Sequence, residues 1–434
     1  MNRWFKKNVG AEGAKVLANT GWLYLDQIVR LAVSLIVFSL VVRGLGAERY
    51  GVLSYAMVFP GIFMPLAMLG LDYVIVRDFV RYPAERERIF GTAFALKAAA
   101  ATVAFLAAAA VAWWAPLGAP DKTLLLITSA SLLIQPLVTI DYYFQSQVAA
   151  KYSSLARIFT ALAANGVRAW LALSGAPVKW FVWLFTAEAF VYAVSLLAAR
   201  RAAGLAWVHP WLSFDTGIMR RLLSQAWPLF LADIAMIGFL KFDQILLSGF
   251  AGLSELGKYA AAFRLADNAE FFALALINSY FPKIIQLHQD TPELLMENVR
   301  RFFARMTWFV VAVALVASLA APLLSQWIFG SKFGQIWPVL VVLVWANVFV
   351  TQIAVRGKWF LAEGLQLYSL AFFTIGAAVH LSLLPVLSTR WGALGAAVSF
   401  YVAQVTMAVV APVLFPRTRA ASVLALRSFL PRRN

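Results

Sequence analysis

Long apolar runs alternate with short polar breaks from one end of the chain to the other. A bilayer core needs about 20 consecutive apolar residues in helical form. Backbone facing lipid must satisfy its own hydrogen bonds, so each such run predicts a helix. Twelve runs qualify: 17–42, 51–71, 89–115, 123–144, 158–174, 180–199, 225–250, 259–281, 302–328, 333–355, 365–387 and 391–415. The fifth is the shortest and carries Arg168. On one side the connections are 43–50, 116–122, 175–179, 251–258, 329–332 and 388–390, none longer than eight residues. On the other side they are longer, and 200–224 is the longest.

This pattern predicts an all-α polytopic membrane protein of about 12 transmembrane helices in two lobes of six. The expected organisation is an N-terminal lobe 1–199, a cytoplasmic linker 200–224, a C-terminal lobe 225–415 and a basic tail 416–434. No connection is long enough to hold a catalytic domain, so the expectation is a protein that works inside the bilayer and is not an enzyme.

Composition agrees with the pattern. The chain of 434 residues is 62% hydrophobic and 13% charged, with mean hydropathy +0.78. A soluble domain is about 45–50% apolar and about 25% charged, so soluble, coiled-coil and disordered classes are excluded. Cysteine is absent, which excludes disulfides, thiolate metal sites, a cysteine nucleophile and a lipoprotein anchor. His209, His288 and His380 are far apart in sequence, so neither a histidine metal cluster nor a cofactor is expected.

The net charge of +17 suggests nucleic acid until its distribution is followed. Of the 37 Lys and Arg, 25 fall on the side of the longer connections and the termini, and 7 on the side of the short ones. The other five, Arg30, Lys97, Arg168, Lys241 and Arg264, lie inside predicted spans. This bias follows the positive-inside rule and predicts an even number of spans with both termini cytoplasmic. The basicity is therefore a topology and anionic-lipid signal, and no nucleic acid partner is expected. No A-x-A site follows a short apolar core at the N-terminus. Trp4, Phe5, Lys6 and Lys7, and in the tail Arg417, Arg419, Arg427, Arg432 and Arg433 beside Leu424, Phe429 and Leu430, read as membrane-surface anchors.

The two halves share a local pattern. Leu45-Gly46-Ala47-Glu48-Arg49-Tyr50-Gly51 joins spans one and two, and Leu253-Ser254-Glu255-Leu256-Gly257-Lys258-Tyr259 joins spans seven and eight. Gly51 and Gly257 each open the following span. With six spans per half, the halves point the same way, which is a parallel repeat about an axis along the membrane normal.

The stretch Arg43-Gly44-Leu45-Gly46-Ala47-Glu48-Arg49-Tyr50-Gly51 resembles the opening of the polysaccharide-transporter family. These are the Wzx-type O-antigen and repeat-unit flippases of the multidrug/oligosaccharidyl-lipid/polysaccharide (MOP, MATE-like) superfamily. Lys241-Phe242-Asp243-Gln244-Ile245-Leu246-Leu247, Gly257-Lys258-Tyr259 and Phe263-Arg264 are similar to the family's seventh and eighth spans. The resemblance implies a multi-pass protein of the bacterial inner membrane. It implies alternating access that moves a polyprenyl-diphosphate-linked glycan from the cytoplasmic to the periplasmic leaflet, driven by an H+ or Na+ gradient. It further implies partners in glycan assembly such as a polymerase.

Charges inside spans are the sharpest local signal, because an ionised group near the bilayer centre costs on the order of 3 kcal/mol. Span one has Asp26 and Arg30 at i, i+4; span five has Arg168; span six has Glu188. Span seven has Asp233, Lys241 and Asp243, and span eight has Arg264, Asp267 and Glu270. Spans nine to twelve are almost free of charge between their ends. Arginine presents a planar fork suited to phosphate oxygens, so Arg30 and Arg264, then Arg168 and Lys241, are the candidate ligands of a lipid diphosphate. Asp26, Asp233, Asp243, Asp267, Glu270 and Glu188 are candidates for charge pairing or ion coupling, with no choice among them. Charges on pseudo-equivalent spans are expected to converge on one cavity between the lobes. Asp72 and Lys97 lie near span ends and are expected to snorkel. Pro60, Pro65, Pro136, Pro228 and Pro338 are candidate bending points.

Rival classes remain. A multidrug exporter of organic cations calls for an anionic cavity, whereas the embedded charges here are mixed. Lipid II flippases often carry further spans. A membrane glycosyltransferase or polymerase calls for a sizeable outer loop.

Overall fold

The computed structural model describes residues 11–114, 120–204, 213–290 and 292–429. The anchor residues Trp4, Phe5, Lys6 and Lys7, with His209, Leu430, Arg432 and Arg433, lie outside them. Every predicted span is helical among the described residues. The long helices are α1 (Ala11–Met68), α2 (Leu71–Arg81), α3 (Arg86–Trp113), α4 (Lys122–Ser129), α5 (Thr139–Ser146), α6 (Ala150–Leu173) and α7 (Val178–Ala202). After the linker come α8 (Thr216–Ala251), α9 (Leu253–Asp290), α10 (Pro292–Leu324), α11 (Trp337–Ala362), α12 (Gln366–Val405) and the short α13 (Arg419–Arg427). Seven stretches of helix among the described residues are long and apolar enough to cross a membrane. Two of these each combine two predicted spans, one running from span one through span two and the other from span eleven through span twelve. The three predicted spans left out, five, seven and eight, are helices that carry embedded charges.

Two of the short connections are tighter than expected. Residues 43–50 are helical within α1, broken only at Gly46 (φ 74°, ψ 174°). Residues 388–390 are likewise helical, and α12 breaks only at Gly392 (φ 56°, ψ −130°). A Cβ strongly disfavours both conformations, so one glycine does the work of a loop. The break at Gly392 strands a backbone donor, and Glu255 takes it up: its Oε2 accepts from Ala393 N at 2.8 Å, and its Oε1 accepts from Lys258 Nζ at 2.6 Å.

The candidate bending points divide. Pro60, Pro65 and Pro228 lie inside helices. Pro136 lies in a tightened 3₁₀ stretch, Ala130–Val138, that interrupts span four, a geometry rarely sustained this long. Pro338 sits in the first turn of α11, where its missing N–H costs nothing, so it starts a helix and does not bend one.

The chain forms two compact units: Met1–Leu45 with Tyr55–Ile237, and Gly46–Ser54 with Gly238–Asn434. In the first unit the core gathers Leu71, Val74, Ile75 and Phe79 of α2 with Ile89 and Phe90 of α3, Phe144 of α5 and Leu222 of α8. Asn19 Oδ1 accepts from Ala150 N at 2.6 Å and so satisfies the start of α6. Asp215 performs the same service for α8, accepting from Ile218 N at 3.0 Å. That backbone donor holds the Asp215 carboxyl below the usual carboxylate range.

In the second unit α11 is the central helix, packed against α9, α10 and α12. Val355, Trp359 and Phe360 of α11 meet Phe302 and Phe303 of α10 and Phe372 of α12. Arg356 is buried among them. It donates to the carbonyls of Met407 (2.7 Å) and Ala408 (3.2 Å) and lies 4.8 Å from the Phe372 ring centre. Those carbonyls belong to a π-helical turn, Thr406–Val410, that leaves acceptors unspent. The basic tail is tied to the same place. Ser422 Oγ donates to Val409 O at 2.7 Å, Thr418 Oγ1 to Pro412 O at 2.9 Å, and Gln352 Nε2 to Ser428 Oγ at 3.1 Å. The described part of the tail is therefore docked into the second unit through buried hydroxyls, while Arg417, Arg419 and Arg427 stay exposed.

The two repeat turns meet within the second unit. A Cβ on Gly51 would lie 1.8 Å from Leu253 O, and one on Gly257 would lie 1.9 Å from Ala47 O. Each glycine is thus seated under a carbonyl of the other turn, and neither tolerates a side chain. Gly51→Ala and Gly257→Ala are each expected to lower stability by about 1–3 kcal/mol through overpacking. Gly61→Ala, which meets open space, is expected to leave it unchanged or slightly raised. Thermal unfolding of the three purified variants checks this, and equal melting would rule out the tight crossing.

Candidate functional site

The embedded charges fall into separate groups, and each group lies within one unit. In the first unit Asp26, 2% exposed, accepts from Arg30 Nε at 2.7 Å, one turn along α1. It also accepts from Arg157 Nε of α6 at 2.8 Å. Arg157 Nη1 continues to Asp141 Oδ2 of α5 at 3.0 Å. Arg30–Asp26–Arg157–Asp141 is thus a chain of alternating sign across three helices, formally neutral. Three charge-assisted hydrogen bonds from two arginines offset the burial of Asp26, and one from Arg157 offsets that of Asp141. Arg30 is the open end of the chain, its side chain 38% exposed, with Nη2 also donating to Gln27 Oε1 at 2.9 Å.

Asp141 and Arg157 are absent from the sequence-based candidates because both sit at predicted span ends, where a charge is unremarkable. Their separation of 16 residues across a helical turn-around was the signal available. Arg168 of α6 pairs with Glu188 of α7, so two of the candidates named above do meet, each with the other. Lys97 does not snorkel. It is fully buried on α3, with Nζ 3.3 Å from Asp72 Oδ1 and 3.3 Å from Tyr142 Oη, over the Tyr142 ring at 4.6 Å. An ammonium so enclosed needs the carboxylate and the ring face together. Asp233 of α8 is partly buried and lies within electrostatic reach of Asp72.

In the second unit Lys241 of α8 and Arg264 and Asp267 of α9 are exposed. Both cations act electrostatically on the Asp267 carboxylate. Glu270, one turn on from Asp267, lines a cavity of about 220 Å³ walled by Ala273, Phe309, Val310, Val313, Val344 and Asn347. Asp243 stands apart from these. It is 3% exposed, its Oδ2 accepts from Tyr259 Oη at 2.9 Å and lies 3.5 Å from His380 Nε2, and its Oδ1 accepts from Gln244 N at 2.7 Å. His380 is the residue that sequence reasoning set aside. It looked like one of three scattered histidines, yet its place in the middle of span eleven already marked it as a titratable group in hydrocarbon. Arg30 belongs to the first unit and Arg264 to the second.

The pairing pattern separates framework from exposed charge. Arg157→Ala leaves Asp141 without its cation and Asp26 with one partner of two. It is expected to cost on the order of 3 kcal/mol. Arg30→Ala leaves Asp26 held by Arg157, and its cost should be well under half of that. Melting temperatures of the two purified variants test the ranking; a larger loss for Arg30→Ala would overturn it.

Residues 16–288 match the family model described as polysaccharide biosynthesis protein. The succinoglycan biosynthesis transport protein ExoT of Rhizobium meliloti (strain 1021) is 26% identical over 348 residues, 76% of this chain and 65% of that protein. The match thus spans just under two thirds of that relative. The lipid II flippase MurJ, in an inward closed conformation, has a TM-score of 0.72 at 11% identity, over 95% of this chain and 90% of that one. An inward-facing multidrug resistance MATE family transporter of the MOP superfamily has a TM-score of 0.67 at 14% identity, over 93% of this chain and 99% of that one. The fold is that of the MOP-superfamily transporters, and the family match covers well over half of the chain. This multi-pass membrane protein belongs to the polysaccharide biosynthesis protein family.

Proposed function

We propose that the protein is a flippase that carries a polyprenyl-diphosphate-linked oligosaccharide from the cytoplasmic to the periplasmic leaflet of the bacterial inner membrane. The observation that carries this reading is the exposure of cations inside apolar spans. Arg30 is backed by a buried carboxylate yet keeps 38% of its side chain open, and Lys241 and Arg264 are exposed beside Asp267. A cation in hydrocarbon without a wet or anionic environment is strongly disfavoured. A diphosphate headgroup is the ligand that such forks suit. Asp26 holds Arg30 charged and oriented while no substrate is bound, and the phosphates then compete for its outer face.

In this reading the lobes 1–199 and 225–415, joined by 200–224, give the cargo alternating access to the two leaflets, with Arg30 and Arg264 among its ligands. Both termini are cytoplasmic, and a proton or sodium gradient supplies the work. Arg168 and Glu188 serve as a supporting pair between α6 and α7. Of the compared proteins, two have names that speak of succinoglycan transport and lipid II flipping and one of multidrug resistance; the family description, polysaccharide biosynthesis, favours a glycan cargo. Glycan-assembly enzymes, a polymerase among them, supply and consume the cargo.

Arg30→Ala and Arg264→Ala should each abolish surface display of the exported glycan while the protein remains inserted. Lysine at either position should restore only part of it, since the fork is lost. Glycan staining of cells carrying each variant reads this out. Full display in both alanine variants removes these residues from the cargo site. Collapse of the proton or the sodium gradient should slow transport in vesicles, and indifference to both removes ion coupling.

A further inference from the structure

We propose that Arg77 and Arg81 of α2 form a capture site for the diphosphate of a lipid-linked ligand at the leaflet surface, with Asp78 as the residue that positions Arg77; naming that ligand as the cargo rests on the flippase reading. Asp78 is fully buried in the first unit. A carboxylate so placed needs cations around it, and two arginines supply them. Arg77 donates to Asp78 Oδ1 from Nη2 at 2.7 Å and from Nε at 3.1 Å. Arg221 of α8 brings its Nε to 3.3 Å from Asp78 Oδ2, and its Nη2 lies 2.9 Å from Glu85 Oε2. Gln225, also of α8, accepts from Arg77 Nη2.

The two arginines are used differently. Arg221 is spent on Asp78, on Glu85 and on the Tyr82 ring, whose centre is 4.3 Å from its guanidinium. Arg77 is held through Nε and Nη2 alone. Its Nη1 has no partner among the described residues, and its side chain is 47% exposed. This is the arrangement of Arg30 on Asp26 met a second time in the same unit: an open guanidinium backed by a buried carboxylate.

Arg81 follows Arg77 by four residues and shares its face of α2. It is exposed, 5.5 Å from the Tyr82 ring centre, and makes no ion pair among the described residues. Like charges one turn apart repel. The carboxylates of the cluster, Asp78 and Glu85, are already engaged, and Asp72 is engaged by Lys97. The pair therefore calls for an anion from outside. A diphosphate offers two adjacent phosphoryl groups, one to each fork, whereas a phosphodiester headgroup offers one. The same face exposes Tyr73 and Val80, while Leu71, Val74, Ile75 and Phe79 fill the core behind it. Apolar side chains beside the forks suit a ligand that arrives along the membrane on a hydrocarbon chain. α2 continues span two toward the side where Lys and Arg concentrate, the expected cytoplasmic one, which is the leaflet where export begins.

The test measures equilibrium binding to the full chain in phosphatidylcholine nanodiscs. The probes are a synthetic, fluorescent polyprenyl-diphosphate disaccharide and its monophosphate counterpart. Arg77→Gln and Arg81→Gln should each raise Kd for the diphosphate about tenfold, the worth of one charge-assisted hydrogen bond. Arg77→Lys keeps the charge, loses the fork and should fall between. Arg77→Gln leaves Asp78 beside Arg221, and melting temperatures confirm that the variants fold. The two glutamines together should cost the diphosphate more than the monophosphate. Equal losses for both probes, or none, overturn the site.

Competition separates the sources of phosphate. Neither phosphatidylglycerol nor inorganic pyrophosphate should displace the probe at matched concentration. Displacement by the first makes this a site for bulk lipid, displacement by the second a site fed from water, and either overturns capture of cargo. Asp78→Asn separates positioning from packing. It should weaken binding as much as Arg77→Gln and add nothing once residue 77 is glutamine; losses that add overturn the positioning role. If Asp78→Asn does not fold, Asp78→Glu enters the same cycle. If the unsubstituted protein binds neither probe, the flippase reading fails and the capture site with it. If it binds the diphosphate and Arg77→Gln changes nothing, that reading stands and the capture site falls.

Discussion

Ionised side chains placed in hydrocarbon must be matched inside the protein, and this constraint organises both units. Water offsets a surface charge at little cost, but in a span only another side chain, an aromatic face or a backbone carbonyl is at hand. The structure uses all three. Asp26 and Asp141 are matched by Arg157, Lys97 by Asp72 and the Tyr142 ring, and Arg356 by carbonyls freed in a π-helical turn. Such matches lock helices in register, because removing one partner leaves the other stranded. The charges that are less fully enclosed, Arg30, Lys241 and Arg264, stand out against that background.

Nine of the twelve predicted spans were legible by hydrophobic length, since they fall in helices long and apolar enough to cross a membrane. The breaks were legible only in part. The connections 43–50 and 388–390 marked places where the chain turns, but composition does not tell a loop from a single residue of positive φ inside a continuous helix. Pro338 read as a bend because the start of α11 lies four residues later than hydropathy places it, at Trp337. Candidate residues were legible where charge sits in mid-span, as at Asp26, Arg30 and Asp243. They were missed where a charge sits at a predicted span end, as at Asp141, Arg157 and Arg356. Hydropathy assigns such residues to water, while the fold turns them inward. Which charge meets which is a matter of helix rotation, and no single-chain pattern encodes it.

The tail shows the same limit. Its arginines predict an anchor on the membrane surface, and of the described ones Arg417, Arg419 and Arg427 are exposed. Its hydroxyls looked incidental, yet Thr418, Ser422 and Ser428 are buried and tie the segment to span twelve and to Gln352. Small polar residues in a basic stretch carry no hydropathy signal; here Ser422 meets a carbonyl of the π-helical turn, Thr418 the Pro412 carbonyl and Ser428 the Gln352 amide.

The assignment of Gly46–Ser54 to the second unit bears on how the chain is made. This segment leaves the ribosome with the first helix. Its neighbours, Leu253 against Gly51 and Phe333 with its ring 6.2 Å from that of Tyr50, come about 200 and about 280 residues later. During synthesis the first helix is therefore inserted with its middle unmatched. The contacts of this segment form only once the second unit has been translated. Contacts of such long sequence separation fold slowly, so the join at Gly51 is set among the last steps of biogenesis.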